Sequence, residues 1–409
     1  MSNAHEHKQP IADWLFFVLA FAIMLARGFL YLKGVPLLHL ACVAGKMALF
    51  PIAVILALRT PGKPTTVDMG ILAYGLTMFV VYLINRTQVH TITLLSMDVF
   101  IYWALCRWFF ARRSIFPLKA TTWILSAFVA LNFLLLILRP EGMWLSQTNE
   151  VMYYLLGGNY NSMGKAIIVL LLSNILLLEF LPREEIRERR INLLLLAINS
   201  LLSIATLMIV GSKTSLVGVL LVLAFGSLLL VPRSRALRFG VMSAFVAVYF
   251  VLQSWTVFRN MDTTSTQVEY FVENVLKKDM TFSKRTYVWE KAKKLVEYSP
   301  VIGYGQQDEE WYESEMEVLT AHNLVLHILI KGGWVGLSAF IVLLIIVHIR
   351  LLRQYAHAPD NSTGANGGYI LFFGMWVYLF MMIFEVYSFF TLSILLIYAG
   401  YLSPGRFDR

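Results

Sequence analysis

Apolar runs of roughly 20 residues recur along this chain between short polar breaks, and "INLLLLAINSLLSIATLMIV" at 191–210 is one of them. A helix needs about 20 such residues to cross the hydrocarbon of a bilayer. The chain has 409 residues, of which 58% are hydrophobic and 14% charged, with a mean hydropathy of +0.67. Soluble domains carry about 25% charged residues, so a soluble chain this apolar could not cover its own surface. A transmembrane barrel would show alternating segments of about 10 residues instead. The sequence therefore predicts an all-α polytopic membrane protein.

Twelve candidate spans are read at 13–32, 36–58, 67–84, 91–111, 119–138, 161–181, 191–210, 213–231, 236–255, 321–349, 368–385 and 387–402. Trp14 opens an apolar run that reaches Leu32 without a small-residue cleavage site, which predicts a first span rather than a signal peptide. Lys and Arg in short loops set orientation. With the N-terminus inside, the inner loops collect Arg59, Lys63, Arg112, Arg113, Arg183, Arg187, Arg189 and Arg190 among others, and the short outer loops hold Lys33, Arg86, Arg139 and Lys213. Both termini are then expected to be cytoplasmic. The net charge of +9 falls mostly on the inner face, where it serves topology and attraction to anionic lipid. No nucleic-acid motif accompanies it. Cys42 and Cys106 lie inside apolar runs and have neither disulfide nor zinc spacing.

The chain reads as one integral membrane domain over 1–409, with a large extracytoplasmic loop at 256–320 between the ninth and tenth spans. Residues 139–160 form a smaller outer loop. Within the large loop, "TQVEYFVENVLKK" and "RTYVWEKAKKLVEYSP" both have helical periodicity. The second places Val288, Ala292, Leu295 and Val296 on one face, offers a Glu290–Lys294 pair, and is stopped by Pro300. Such helices lie on the membrane surface or over a cavity.

Several residues could carry chemistry. Lys213, in the tight outer turn "GSKTSL", either binds an anionic group or snorkels to the interface as flanking lysines ordinarily do. Arg285, with Lys284 beside it, could grip a phosphate with its planar fork, or be a solvated helix residue. His322 has the side chain suited to proton transfer near neutral pH, and Asn323 could orient it or bind a sugar hydroxyl. His327 falls on a different face, so the two histidines make no metal site. Gly303 and Gly305 permit a tight turn, and Tyr304 and Trp311 could stack on sugar rings. Asp308, Glu309 and Glu310 are read as a solvated turn rather than a metal site. Lys165, Lys331, Lys46, Arg27, Asp98 and Glu385 are ionisable groups within or beside spans, where they point to a cavity or pathway. Lys331, in "LIKGGWVG", is placed at a break in span ten. There is no Walker A motif, no Gly-x-Ser-x-Gly elbow, no His-Glu-x-x-His and no Asp-rich diphosphate motif.

The succession "GSKTSL", "RTYVWEKA…SPVIGYG" and "AHNLVLHILIKGGWVGL", over roughly 155–350, resembles the O-antigen ligase and O-antigen polymerase superfamily of bacterial envelope glycan assembly. Within it the chain looks most like a polysaccharide repeat-unit polymerase. The resemblance implies a glycosyltransferase without cofactor or metal. It would act by inversion on an undecaprenyl-diphosphate-linked oligosaccharide at the outer face of the bacterial cytoplasmic membrane, building O-antigen, capsule or exopolysaccharide. It implies catalytic roles for His322 as base and for Arg285 and Lys213 as diphosphate-holding cations. Asn323, Lys284, Trp289, Tyr304, Asn159, Asn161 and Lys165 are the expected substrate-binding residues. Ligase members usually carry Arg where Lys213 stands, which favours a polymerase. A ligase using another acceptor is the alternative. A lipid-linked glycan transporter is a second, set against the absence of paired halves with broken helices. The bilayer, a flippase and a chain-length regulator of the same pathway are the expected partners, and nucleic acid is not one.

Overall fold

The structure is a computed structural model and describes residues 36–87, 89–145, 152–158, 162–182, 184–227, 235–258, 285–318, 320–357, 366–385 and 389–402, with parts of 13–24. The described part of 13–24 is helical. Then follow α1 (Pro36–Arg59), α2 (Thr66–Ile84), α3 (Val89–Ala111) and α4 (Phe116–Leu138). A two-residue antiparallel ladder, β1 (Trp144–Leu145) with β2 (Met152–Tyr153), interrupts the helices. After it come α5 (Met163–Phe180), α6 (Ile186–Ile209), α7 (Lys213–Ser227) and α8 (Arg235–Phe258). The chain ends with α9 (Arg285–Tyr298), α10 (Glu309–Met316), α11 (Leu324–His357), α12 (Gly367–Met381) and α13 (Phe389–Tyr401).

The protein is an all-α polytopic membrane protein. Among the described residues six helical segments are long and apolar enough to cross a membrane: α2, α4, α5, α6, Leu237–Trp255 in α8 and Leu324–Gln354 in α11. Three shorter apolar helices, α7, α12 and α13, accompany them. Helix is the form available to such sequences, because hydrocarbon supplies no partner for an unpaired amide. α5 is the central helix, buried along most of its length and packed by α4, α6, α7 and α12. α6 and α8 instead keep broad apolar faces exposed, as a lipid-facing helix does. At one end of the bundle Asp68 caps α2 through a capping box with Thr65 and accepts Trp103 Nε1 at 2.8 Å and the Tyr401 hydroxyl at 2.7 Å. One buried carboxylate thus ties α2, α3 and α13 together.

α9 forms where periodicity predicts it, and Val288, Trp289, Ala292 and Leu295 are its buried face. Trp289, Ala292 and Leu295 pack with Tyr312, Met316, Ala321, Leu326 and Ile330 into a small core of their own. The expected Glu290–Lys294 pair is replaced by Glu290–Lys293, one residue closer. The acidic run is solvated, with Asp308 and Glu310 exposed, but it opens a helix rather than a turn. Asp308 is the N-cap of α10 and accepts the Trp311 amide at 2.9 Å, with Glu309 and Glu310 in the first turn, where carboxylates favour the helix dipole. The helix expected over 266–278 lies outside the described residues.

α11 is broken where "KGG" predicts it. Gly333 has φ 56° and ψ −160°, a conformation essentially reserved for glycine. The backbone groups freed at the break find partners in the Pro300–Gly305 turn. Tyr304 N donates to Ile330 O at 2.7 Å, and Gly305 N to Lys331 O at 2.9 Å. In return Trp334 N donates to Pro300 O at 2.8 Å, and Val335 N to Val301 O at 3.1 Å. A Cβ on Gly303 would strike Ile330 O and the Gly333 amide, and one on Gly333 would strike the Val301 carbonyl. The two glycine motifs are therefore the two halves of one lock. The α2–α3 turn closes over it, with Asn85 Nδ2 donating to Ile302 O at 3.4 Å and Gln306 N donating to Thr87 Oγ1 at 3.1 Å.

Candidate active site

The lock fixes α9 and the start of α11 at one end of the bundle. There the side chain of Arg285, 12% exposed, forms an ion pair through Nη2 with Oε1 of Glu385. The other oxygen, Oε2, lies 3.4 Å from Nδ1 of His322. Glu385 is 7% exposed and follows the last turn of α12. One carboxylate therefore holds an arginine on one oxygen and a histidine on the other, across three separate stretches of chain.

The histidine is held by its backbone as well. His322 has φ 46°, a left-handed conformation that is uncommon for a non-glycine residue and clusters at functional sites. Trp289 Nε1 donates to its carbonyl at 3.4 Å, and the next amide but one, Leu324 N, donates to Met382 O at 2.9 Å. Asn323 is fully buried. Its Oδ1 accepts Gln253 Nε2 and the Leu326 amide, both at 3.1 Å, and its Nδ2 donates to Ile383 O at 3.1 Å. It caps α11 while joining α8 to the chain just past α12. Asn323→Ala should lower stability by about 2 kcal/mol, read as a thermal midpoint in detergent, because it removes buried hydrogen bonds to the Gln253 side chain, the Leu326 amide and the Ile383 carbonyl.

Lys213 begins α7, exposed. Two residues on, Ser215 Oγ lies 2.5 Å and Met381 Cε 2.6 Å from where a Gly164 Cβ would stand. Gly164 precedes the half-buried Lys165, and the Glu385 amide donates to Met381 O. Lys213, Lys165 and Glu385 thus lie within about one helical turn of a single packing point. Small residues let α5, α7 and α12 meet there: Gly164, Ser215 and Gly218 surround Met381.

Residues 198–341 match the O-antigen ligase family model. The match covers about a third of the chain and supports the superfamily that the sequence resembles. No curated protein matches the chain. The segment contains Lys213, Arg285 and His322, and stops short of Glu385.

The structure brings Arg285, His322 and Asn323 together and sets Lys213 and Lys165 at the same end of the bundle. Trp289 is 1% exposed, so it supports the His322 backbone from within the small core rather than presenting a ring face. Tyr304 is half-buried, with its hydroxyl on Leu295 O at 3.1 Å and its ring 5.1 Å from that of Trp311. Lys284, Asn159 and Asn161 lie outside the described residues. Sequence reasoning flagged Glu385 as costly in its setting but had no partner for it, and it passed over Gln253. A glutamine inside an apolar span was the available signal for the second.

Proposed function

We propose that this protein is a membrane glycosyltransferase that polymerises undecaprenyl-diphosphate-linked oligosaccharide repeat units into envelope polysaccharide. The observation that carries the reading is the Arg285–Glu385–His322 arrangement, two of whose members fall inside the O-antigen ligase segment. The site faces the extracytoplasmic side of the bacterial inner membrane, and both termini are cytoplasmic.

In this mechanism His322 donates Nδ1–H to Glu385, which leaves Nε2 to accept the proton of the acceptor hydroxyl. The acceptor oxygen forms its bond to the anomeric carbon on the face opposite the diphosphate. The bond from that carbon to the diphosphate oxygen breaks, and the undecaprenyl diphosphate leaves with the electron pair. Negative charge grows on the leaving group, and Arg285 and Lys213 are the fixed cations that stabilise it. A guanidinium has more N–H donors than one carboxylate uses, so Arg285 can hold Glu385 and still reach a phosphate. Inversion follows from the single displacement, and the cations take the place of a metal.

The name of the matched family favours a second reading, transfer of the same donor to another acceptor. Purified protein in lipid nanodiscs, given its organism's lipid-linked repeat unit with EDTA and no nucleotide, separates the two. Polymerisation gives a ladder of glycans on lipid diphosphate. Label that moves to an added acceptor without a ladder makes the protein a ligase. Substrate that crosses the bilayer with no new glycosidic bond overturns the enzyme reading.

A further inference from the structure

A second polar cluster lies one turn beyond His322, outside the set used above. His327 N donates to Asn323 O, and Lys331 follows one turn later at the break in α11. The His327 ring stacks on Tyr312 of α10, with centroids 6.1 Å apart and planes 20° apart. Tyr312 is 4% exposed. Among the described residues its hydroxyl and His327 Nδ1 are both buried without a hydrogen-bond partner. Buried polar groups are normally paired, and an orphan in a native fold calls for a water, an ion or a ligand group. Trp311 stands edge-on to Tyr312 at 5.1 Å, and beyond it comes the Tyr304 ring. Around these buried atoms His327, Lys331, Trp311 and Tyr304 are each half-buried.

We propose that Tyr312 and His327, with the faces of Trp311 and Tyr304, form a sugar subsite for the acceptor glycan. This rests on the glycosyl-transfer reading. A phenol hydroxyl and a neutral imidazole each donate or accept, and a sugar hydroxyl does both, so it satisfies either orphan. Aromatic rings pack on the apolar faces of sugar rings. The placement selects the acceptor. The diphosphate-holding Arg285 stands with Glu385 at the end of α12, whereas Tyr312 stands on α10. The acceptor hydroxyl at His322 would then have its own glycan running along this side of α11.

The test uses the full chain in nanodiscs and the lipid-free repeat-unit oligosaccharide, released from its carrier by mild acid, as the probe in titration calorimetry. Wild-type protein should bind it, since neither chemistry nor diphosphate is involved. Tyr312→Phe, which keeps the ring and removes the hydroxyl, should weaken binding about tenfold, and His327→Gln by a similar factor. Equal binding by wild type and both variants, or no binding by wild type, overturns the subsite and leaves the orphans to buried water. Binding that is lost in the variants, in a protein that makes no glycosidic bond, keeps the subsite and removes the transferase reading.

Discussion

Gly333→Ala is expected to destabilise the protein by about 3 kcal/mol or more, seen as a lowered thermal midpoint and poor recovery from the membrane. Two costs add. The backbone at φ 56° and ψ −160° is open to glycine and strained for alanine. The new methyl would also sit on the Val301 carbonyl, which cannot withdraw because the Val335 amide donates to it at 3.1 Å. The adjacent glycine is the control. A Gly332 Cβ meets Met78 Sδ at 2.9 Å, the far part of a flexible side chain that can turn aside. Gly332→Ala should change stability by about 1 kcal/mol or less. Equal effects at the two positions would mean that the lock between the Pro300–Gly305 turn and α11 is not what holds the loop helices in place.

The second large effect is at Glu385. Replacing it by glutamine keeps the shape and removes the charge shared by Arg285 and His322. The saturated rate of glycan transfer should fall by about 10²-fold or more, because the imidazole loses the acceptor that fixes its orientation and tautomer. The substrate concentration for half-maximal rate should stay the same or fall, since Arg285 no longer divides its donors between carboxylate and diphosphate. A mainly structural Glu385 would give the reverse kinetic pattern: raised half-saturation with the rate preserved. Arg285 would then be a nearly buried cation without its partner, so a moderate stability loss, about 3 kcal/mol, is expected alongside the kinetic one.

Particular residues show how far the sequence could be read. The helical class followed from apolar run length, since hydrocarbon accepts few backbone forms. α9 followed from periodicity, and the break in α11 from Gly332 and Gly333 after Lys331. His322 and Arg285 stood out by residue type and by the resemblance. Their partner did not. Glu385 is 63 residues beyond His322, and only the return of α12 to the same end of the bundle joins them. Likewise, a tight turn at Gly303 and a helix break in "LIKGGWVG" were visible separately, but that one fits into the other is a tertiary fact. Trp289 shows the opposite error, because an aromatic beside a candidate arginine reads as a sugar platform until its burial is seen. The acids at 308–310 misled for a local reason: a capping Asp and a solvated turn have the same composition.

The central claim is that His322, set by Glu385 beside Arg285, takes the proton from the acceptor hydroxyl. The most direct measurement compares wild-type and His322→Ala protein in nanodiscs, matched for thermal midpoint, with labelled lipid-linked repeat unit in the presence of EDTA. The account predicts a glycan ladder from the wild type and unextended substrate from the variant. A ladder of wild-type length and rate from His322→Ala would contradict it.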